Sequence, residues 1–195
     1  MDERLEKLLN FILYLDGAKN IFRQSRLIKS DRRENVAEHS WHLAIMAYLL
    51  KEYADKKIDI ARVILMCLAH DIVEIYCGDT FAFDEVAVAN QKMREDIAKE
   101  KVYSLLPEDF KKEFTDLFDE FQDANTPEAR FARAVDSLQP ILLDNANGGS
   151  NWKTHGVRAE QIYSVNEFIK GSSKKLFEVV DKIIKSHIEK GNIKE

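Results

Sequence analysis

Three ionisable residues crowd the end of what should be an apolar helix. The run Val63-Ile-Leu-Met-Cys-Leu-Ala69 is apolar all the way round a helical turn, and His70, Asp71 and Glu74 follow directly. At ~100° per residue, Asp71 and Glu74 extend the face already set by Ile60, Val63, Ile64 and Cys67, with His70 beside them. The spacing predicts a buried central helix over 59–76 whose end carries carboxylates. An unpaired buried carboxylate costs on the order of several kcal/mol, so something must compensate it. A divalent cation would do so, because its charge outweighs the repulsion between the acids. A carboxylate–histidine pair satisfied inside a helical bundle is the alternative, and for an isolated His-Asp dipeptide it is the commoner one.

A second histidine shifts that balance. A helix over 36–54 places His39, Leu43, Met46 and Leu50 on one face, so His39 points at the core. A lone core histidine is more often hydrogen-bonded than metal-bound. Two core-directed histidines on adjacent helices, one beside an aspartate, favour a metal. That donor set suits manganese, cobalt, iron or zinc. Asp136 interrupts another apolar helical stretch, but its face is ambiguous. Ala132 and Leu143 share it, while Phe131, Leu138 and Leu142 lie roughly opposite, and spacing alone does not single it out.

The elements that must position these groups read as helices. Periodicity predicts them near 2–16, 36–54, 59–76, 84–106, 107–124, 127–146, 156–170 and 173–190, and no segment sustains a two-residue alternation. Thr126 before Pro127 is a good N-cap, Pro107 suits a first turn, and Asp59 can cap the third helix. Asn145 to Asn151, with its Gly-Gly pair, is the clearest loop. At 195 residues the chain is expected to be a single domain over 1–195, with the helices of about 156–190 packing back on the core. The net charge of -5, with both signs interspersed, argues against a nucleic-acid polymer as partner but leaves room for a local phosphate site. Two cysteines make no disulfide framework, and the longest apolar run, Leu43–Leu50, is too short to span a bilayer. A reducing, cytoplasmic setting without membrane contact is expected.

Taken together, these residues resemble the HD-domain phosphohydrolases, in which a lone His, a His-Asp pair and a distant Asp each sit on a helix. The separations, 31 residues from His39 to His70 and 65 from Asp71 to Asp136, suit that family. The 5′-deoxynucleotidase-like branch is the closer match, through Glu34-Asn-Val-Ala-Glu-His-Ser40 and His70-Asp-Ile-Val-Glu-Ile-Tyr-Cys-Gly-Asp79. The resemblance runs from about Lys19 through Asp144. It implies an all-α HD-domain bundle, commonly a homodimer, acting on (deoxy)nucleoside 5′-monophosphates or on another small phosphate monoester or phosphodiester; a non-catalytic regulatory helical module is the remaining alternative. It further implies that His39, His70, Asp71 and Asp136 hold one divalent metal per subunit (Mn, Co, Fe, Zn or Mg). Glu74 and Asp79 would be catalytic, and Arg23 would contact the nucleotide or its phosphate.

One departure stands out. The branch often carries a Trp shortly after that arginine, near the sugar, whereas this chain reads Arg23-Gln-Ser-Arg26. A preference for deoxyribose therefore does not follow, and Arg26 is a further candidate for phosphate binding. His42, about 60° from His39, reads as flanking rather than ligating. His155 and His187 read as surface residues, and Lys92, Arg94 and Lys99 as a solvated face. Arg32 and Arg33, before Glu34, read as local salt-bridge partners, with a substrate role as the alternative. Trp152 reads as packing, with a lid or dimer contact as alternatives. The stripe Phe110, Phe114, Leu117, Phe118 and Phe121 reads as core or interface.

Overall fold

The computed structural model describes residues 2–195; Met1, the first residue of the expected domain, lies outside the described residues. The chain opens with α1 (Glu3–Leu15), whose N-terminus is capped by the Asp2 side chain and which buries Phe11. A 3-10 turn over Asp16–Asn20 leads into β1 (Phe22–Arg26), paired antiparallel with β2 (Arg33–Asn35). This hairpin was not expected: five and three residues are too few to show an alternation.

The next helix, α2 (Val36–Leu50), begins with a capping box in which Asn35 accepts from the Glu38 amide and the Glu38 side chain accepts from the Asn35 amide. That box sets the first turn, and His39 lies in it. Asp59 caps α3 (Ile60–Ala69) as expected. Here the structure corrects the expected helix over 59–76. It stops at Ala69, tightens through a turn closed by Ile72 N–H to Ala69 O and Glu74 N–H to Asp71 O, and resumes as the single turn α4 (Glu74–Cys77). Nor is the apolar run buried all round, since Leu65 and Leu68 are exposed.

The expected helix over 84–106 is likewise two: α5 (Glu85–Ala89) and α6 (Gln91–Tyr103), joined at Asn90. The helix α7 (Glu108–Asp123) follows Pro107, which sits at the cap rather than inside the first turn. Thr126 caps α8 (Pro127–Ala146), with Pro127 in the first turn as the sequence indicates. Beyond a short turn come α9 (Ser150–His155), α10 (Ala159–Val165), α11 (Glu167–Ser172) and α12 (Lys174–Glu189). The expected helix over 156–170 is broken at Asn166.

The main core joins α2, α3 and α8 through Leu43, Ala47, Val63, Cys67, Ala132 and Val135. Leu176, Val180 and Ile184 of α12 enter the same cluster, so the C-terminal helices pack on the core as expected. A second cluster places Phe11 of α1 against Val102, Tyr103 and Phe118. The α7 aromatic stripe is core, with Leu117, Phe118 and Phe121 each buried and Phe110 and Phe114 packed against the clusters. No helix among the described residues is long and apolar enough to cross a membrane.

Candidate metal centre and its pocket

Three helices bring their ionisable residues to one point. His39, one turn into α2, is fully buried, and its Nε2 lies 3.1 Å from Asp136 Oδ1 on α8. His70, at the end of α3, approaches the same oxygen with its Nε2 at 3.7 Å. Ligand atoms of His39, His70 and Asp136 all fall within 4.8 Å of one another. Neighbouring donors held about 2.1 Å from a first-row divalent cation sit roughly 3–3.5 Å apart, close to the 3.1 Å and 3.7 Å that separate the two imidazoles from Asp136 Oδ1.

Asp71 adjoins this trio from the turn after α3. Its Oδ1 is 3.0 Å from His70 Nε2 and its Oδ2 is 3.8 Å from His39 Nε2. The same Oδ2 accepts a hydrogen bond from Arg23 Nη1 at 2.8 Å, which draws the carboxylate towards β1. Arg23 reaches Asp79 as well, at 3.5 Å from Oδ1. Glu74 is buried one helical turn beyond His70 and Asp71, with its Oε2 lacking any hydrogen-bond partner.

Electrostatics show why a cation fits. The His70 Nδ1 lies 3.1 Å from the Cys67 carbonyl, a contact that requires an N–H there. Its buried Nε2 is left without a hydrogen-bond partner among carboxylates. Burial alone would lower this imidazole, yet Asp71 and Asp136 outweigh it and push it up to about 10. The acids therefore demand positive charge at that point, which a proton or a divalent ion can supply. Asp136, although burial would raise it, is held well below the usual carboxylate range by His39 and His70. Asp71 is also lowered against burial, by His70 and then Arg23. Glu74 goes the other way: burial and the nearby Asp71 charge raise it well above the ordinary value. Burial raises Asp79 too, with Arg23 opposing.

A layer behind the histidines was missed from sequence. Glu34 is 2% exposed; its Oε1 accepts from Gln139 Nε2 at 2.6 Å and its Oε2 lies 3.5 Å from His39 Nδ1. A carboxylate behind the imidazole favours a proton on Nδ1 and leaves the Nε2 lone pair facing Asp136. The signal was present in the motif that opens with Glu34 and in Gln139, three residues after Asp136. His42 is flanking, as expected, with Nδ1 3.3 Å from Gln139 Nε2.

From Asp136 an open cleft runs between β1, α8 and the C-terminal helices. Arg23 and Asp79 stand at its Asp136 end, and Phe81 and Phe83 form an aromatic wall. These two rings, 5.4 Å apart, lie in a loop that carried no sequence signal. Arg94, expected on a solvated face, instead holds that loop by donating to the Cys77 carbonyl and, at 2.6 Å, to Thr80 Oγ1. Trp152 packs, 1% exposed, into the cleft wall. His187, expected at the surface, is buried against Trp152 and lies 3.0 Å from Asn145 Oδ1. Arg26 is exposed beside Asp31 and does not line the cleft, and Arg32 pairs with Glu38 through two bonds. His155 is exposed, as expected.

A helical bundle that gathers two imidazoles and acidic groups at its centre defines a class of protein built around a divalent cation. The chain belongs to the HD-domain family, whose profile matches residues 15–177. Among curated relatives, the 5′-deoxynucleotidase HDDC2 of Homo sapiens is 29% identical over 136 residues, 69% of this chain and 65% of its own length. The match therefore spans a little under two thirds of that relative. The Xenopus laevis counterpart is 30% identical, covering 70% of this chain and 67% of its own. A 5′-deoxynucleotidase of Enterobacter sp. (strain 638) is 29% identical over 73% of this chain and 75% of its own. A crystal structure from Magnetospirillum magnetotacticum MS-1, described as a predicted metal-dependent phosphohydrolase, superposes with a TM-score of 0.94 at 41% identity. It covers 100% of this chain and 97% of that one.

Proposed function

We propose that this chain is a metal-dependent phosphohydrolase that converts (deoxy)nucleoside 5′-monophosphates to nucleoside and inorganic phosphate. The observation that carries the reading is the convergence of His39, His70 and Asp136, with Asp71 beside them, at the arginine-bearing end of an open cleft. The relatives, named as 5′-deoxynucleotidases, point the same way.

In this reading His39, His70, Asp71 and Asp136 hold one divalent metal, of the Mn, Co, Fe, Zn or Mg kind. Such an ion supplies Lewis acidity, lowering the pKa of water and drawing charge from a phosphoryl oxygen. Arg23 binds the phosphate through its planar fork, exchanging the carboxylates of Asp71 and Asp79 for the substrate's oxygens. Glu74 accepts the proton of the attacking water, for which its unpartnered Oε2 is suited. Asp79 donates a proton to the departing 5′-oxygen, a role that its raised affinity for a proton favours. The apolar wall of the cleft excludes competing water.

The molecule is one domain in this reading and acts on small phosphate esters rather than a polymer. It works as a homodimer, supported by the exposed apolar stripe Trp41, Ile45 and Leu49 on α2, next to Leu65 and Leu68 on α3. Its setting is the cytoplasm, which suits two free cysteines, one of them buried.

Phosphate release from deoxy- and ribonucleoside monophosphates, a generic aryl phosphate and cyclic nucleotides tests the proposal. Metal-stripped protein is supplied with manganese, cobalt, magnesium or zinc in turn. Metal-dependent release from monophosphates, abolished in Asp71→Ala, is the expected result. Turnover confined to another ester moves the substrate, and metal binding without any turnover rejects the enzymatic reading.

A further inference from the structure

One buried acid has no part in the chemistry above. The helix α8 carries Asp136, Ser137, Pro140, Ile141 and Asp144 along one side, and all five line the cleft. Eight residues at ~1.5 Å each put Asp144 about 12 Å along the helix from Asp136. That is close to the reach of a nucleoside monophosphate from its phosphorus to the far edge of its base. Asp144 is 6% exposed, and no Lys, Arg or His opposes it; Asn151 is the single group that favours its charge. Burial pushes its carboxyl up to about 7.

The surroundings mark the end of a slot rather than a structural ion pair. Trp152 and Ile162, both buried, line the same wall. Asn166, 2% exposed, donates its Nδ2 to the Ile162 carbonyl at 2.7 Å, while its Oδ1 has no partner. An acceptor-rich end on an otherwise apolar slot calls for a ligand that brings N–H donors, because unpaired buried acceptors are costly.

We propose that Asp144 reads the nucleobase, selecting bases whose edge carries an amino group, guanine foremost, over thymine and uracil. Resting on the nucleotidase reading, this adds the specificity of the same cleft. Guanine offers two adjacent N–H donors to the two carboxylate oxygens. Adenine and cytosine offer one amino donor beside a ring acceptor, so the carboxylate gains one bond there instead of two. Thymine and uracil offer one N–H between two carbonyl oxygens that oppose the carboxylate. Asp144 lies at the far end from the metal residues, so its loss should alter choice among bases and leave the phosphate chemistry intact.

The test compares kcat/KM for dGMP, dAMP, dCMP, dTMP and base-free 2-deoxyribose 5-phosphate in metal-loaded wild type and Asp144→Asn. Wild type should favour dGMP over dTMP by at least ~10-fold, the size expected of a charge-assisted hydrogen bond. Asp144→Asn should collapse that ratio while holding 2-deoxyribose 5-phosphate within about twofold. A second readout avoids catalysis: deoxyguanosine should raise the Tm of wild type more than thymidine does, and the difference should vanish in Asp144→Asn. Equal turnover of all four nucleotides by wild type overturns the inference and spares the nucleotidase reading. An equal fall on all five substrates in the variant also overturns it, by making Asp144 merely structural. Activity on another phosphate ester with none on any nucleotide removes both together.

Discussion

Glu34 and Asp144 show how differently two buried carboxylates of one chain are used. Glu34 is held by Gln139 on one oxygen and has His39 Nδ1 3.5 Å from the other, so it is placed to orient an imidazole. Carboxylates behind metal-binding histidines typically contribute ~10–100-fold in metal affinity. Glu34→Ala should therefore weaken manganese or zinc binding by that factor, read by chelator competition, while Glu34→Gln recovers part of it. An unchanged affinity would reduce Glu34 to packing. Asp144 lacks such partners, and its raised carboxyl couples folding to pH. The folded state keeps its proton up to about pH 7, whereas the unfolded chain releases it near the ordinary 3.8. Its contribution is full below pH 4 and is lost as pH rises to about 7, at ~1.4 kcal/mol per unit and so up to ~4 kcal/mol in all. Asp144→Asn has no proton to lose. Its urea midpoint should gain on wild type between pH 5 and pH 8, and parallel pH profiles would show that Asp144 titrates normally.

Among the elements, the breaks matter as much as the helices. The turn after Ala69 lets Asp71 and Glu74 leave the straight line of α3 and face Arg23 and the histidines, which a continuous helix over 59–76 would not do. Periodicity could not show this break, because every residue across it is compatible with a helix. Between α8 and α9 the chain reverses through Gly148 and Gly149, both in the left-handed region with φ of +70° and +74°. A Cβ on Gly149 would lie 2.5 Å from His187 Nδ1, while one on Gly148 would meet nothing within 4 Å. Gly149→Ala should cost ~2–4 kcal/mol, combining backbone strain with overpacking against the buried His187, and Gly148→Ala only ~1 kcal/mol. Denaturant melts of the two variants separate these causes. Equal losses would show that backbone strain alone governs the turn.

For the whole molecule, the apolar faces of α2 and α3 point in two directions. Leu43, Ala47, Val63 and Cys67 face the core, while Trp41 is 64% and Leu49 65% exposed on the outside. Five exposed apolar residues, Trp41, Ile45 and Leu49 of α2 with Leu65 and Leu68 of α3, are what a dimer contact requires and what an isolated chain avoids. Ile45→Glu with Leu49→Glu should turn a dimer into a monomer in light scattering, with the far-UV spectrum retained. A wild-type chain already monomeric at micromolar concentration would reject the homodimer.

The sequence by itself determined the helical class, most helix starts, and the presence of His39, His70, Asp71 and Glu74 on core-directed faces. Caps and apolar periodicity are local properties, so they are readable without the fold. The long motifs added Asp136, Asp79 and Arg23 by resemblance, where spacing alone was ambiguous. Only the tertiary structure decided which atoms meet. It set Asp136 between two imidazoles, drew Asp71 towards Arg23, put Glu34 behind His39, buried His187 and left Asp144 alone at the end of a cleft. These contacts join residues as far apart as 97 and 105 positions. They depend on how helices cross and where they break, which packing of the assembled core fixes and no local pattern encodes.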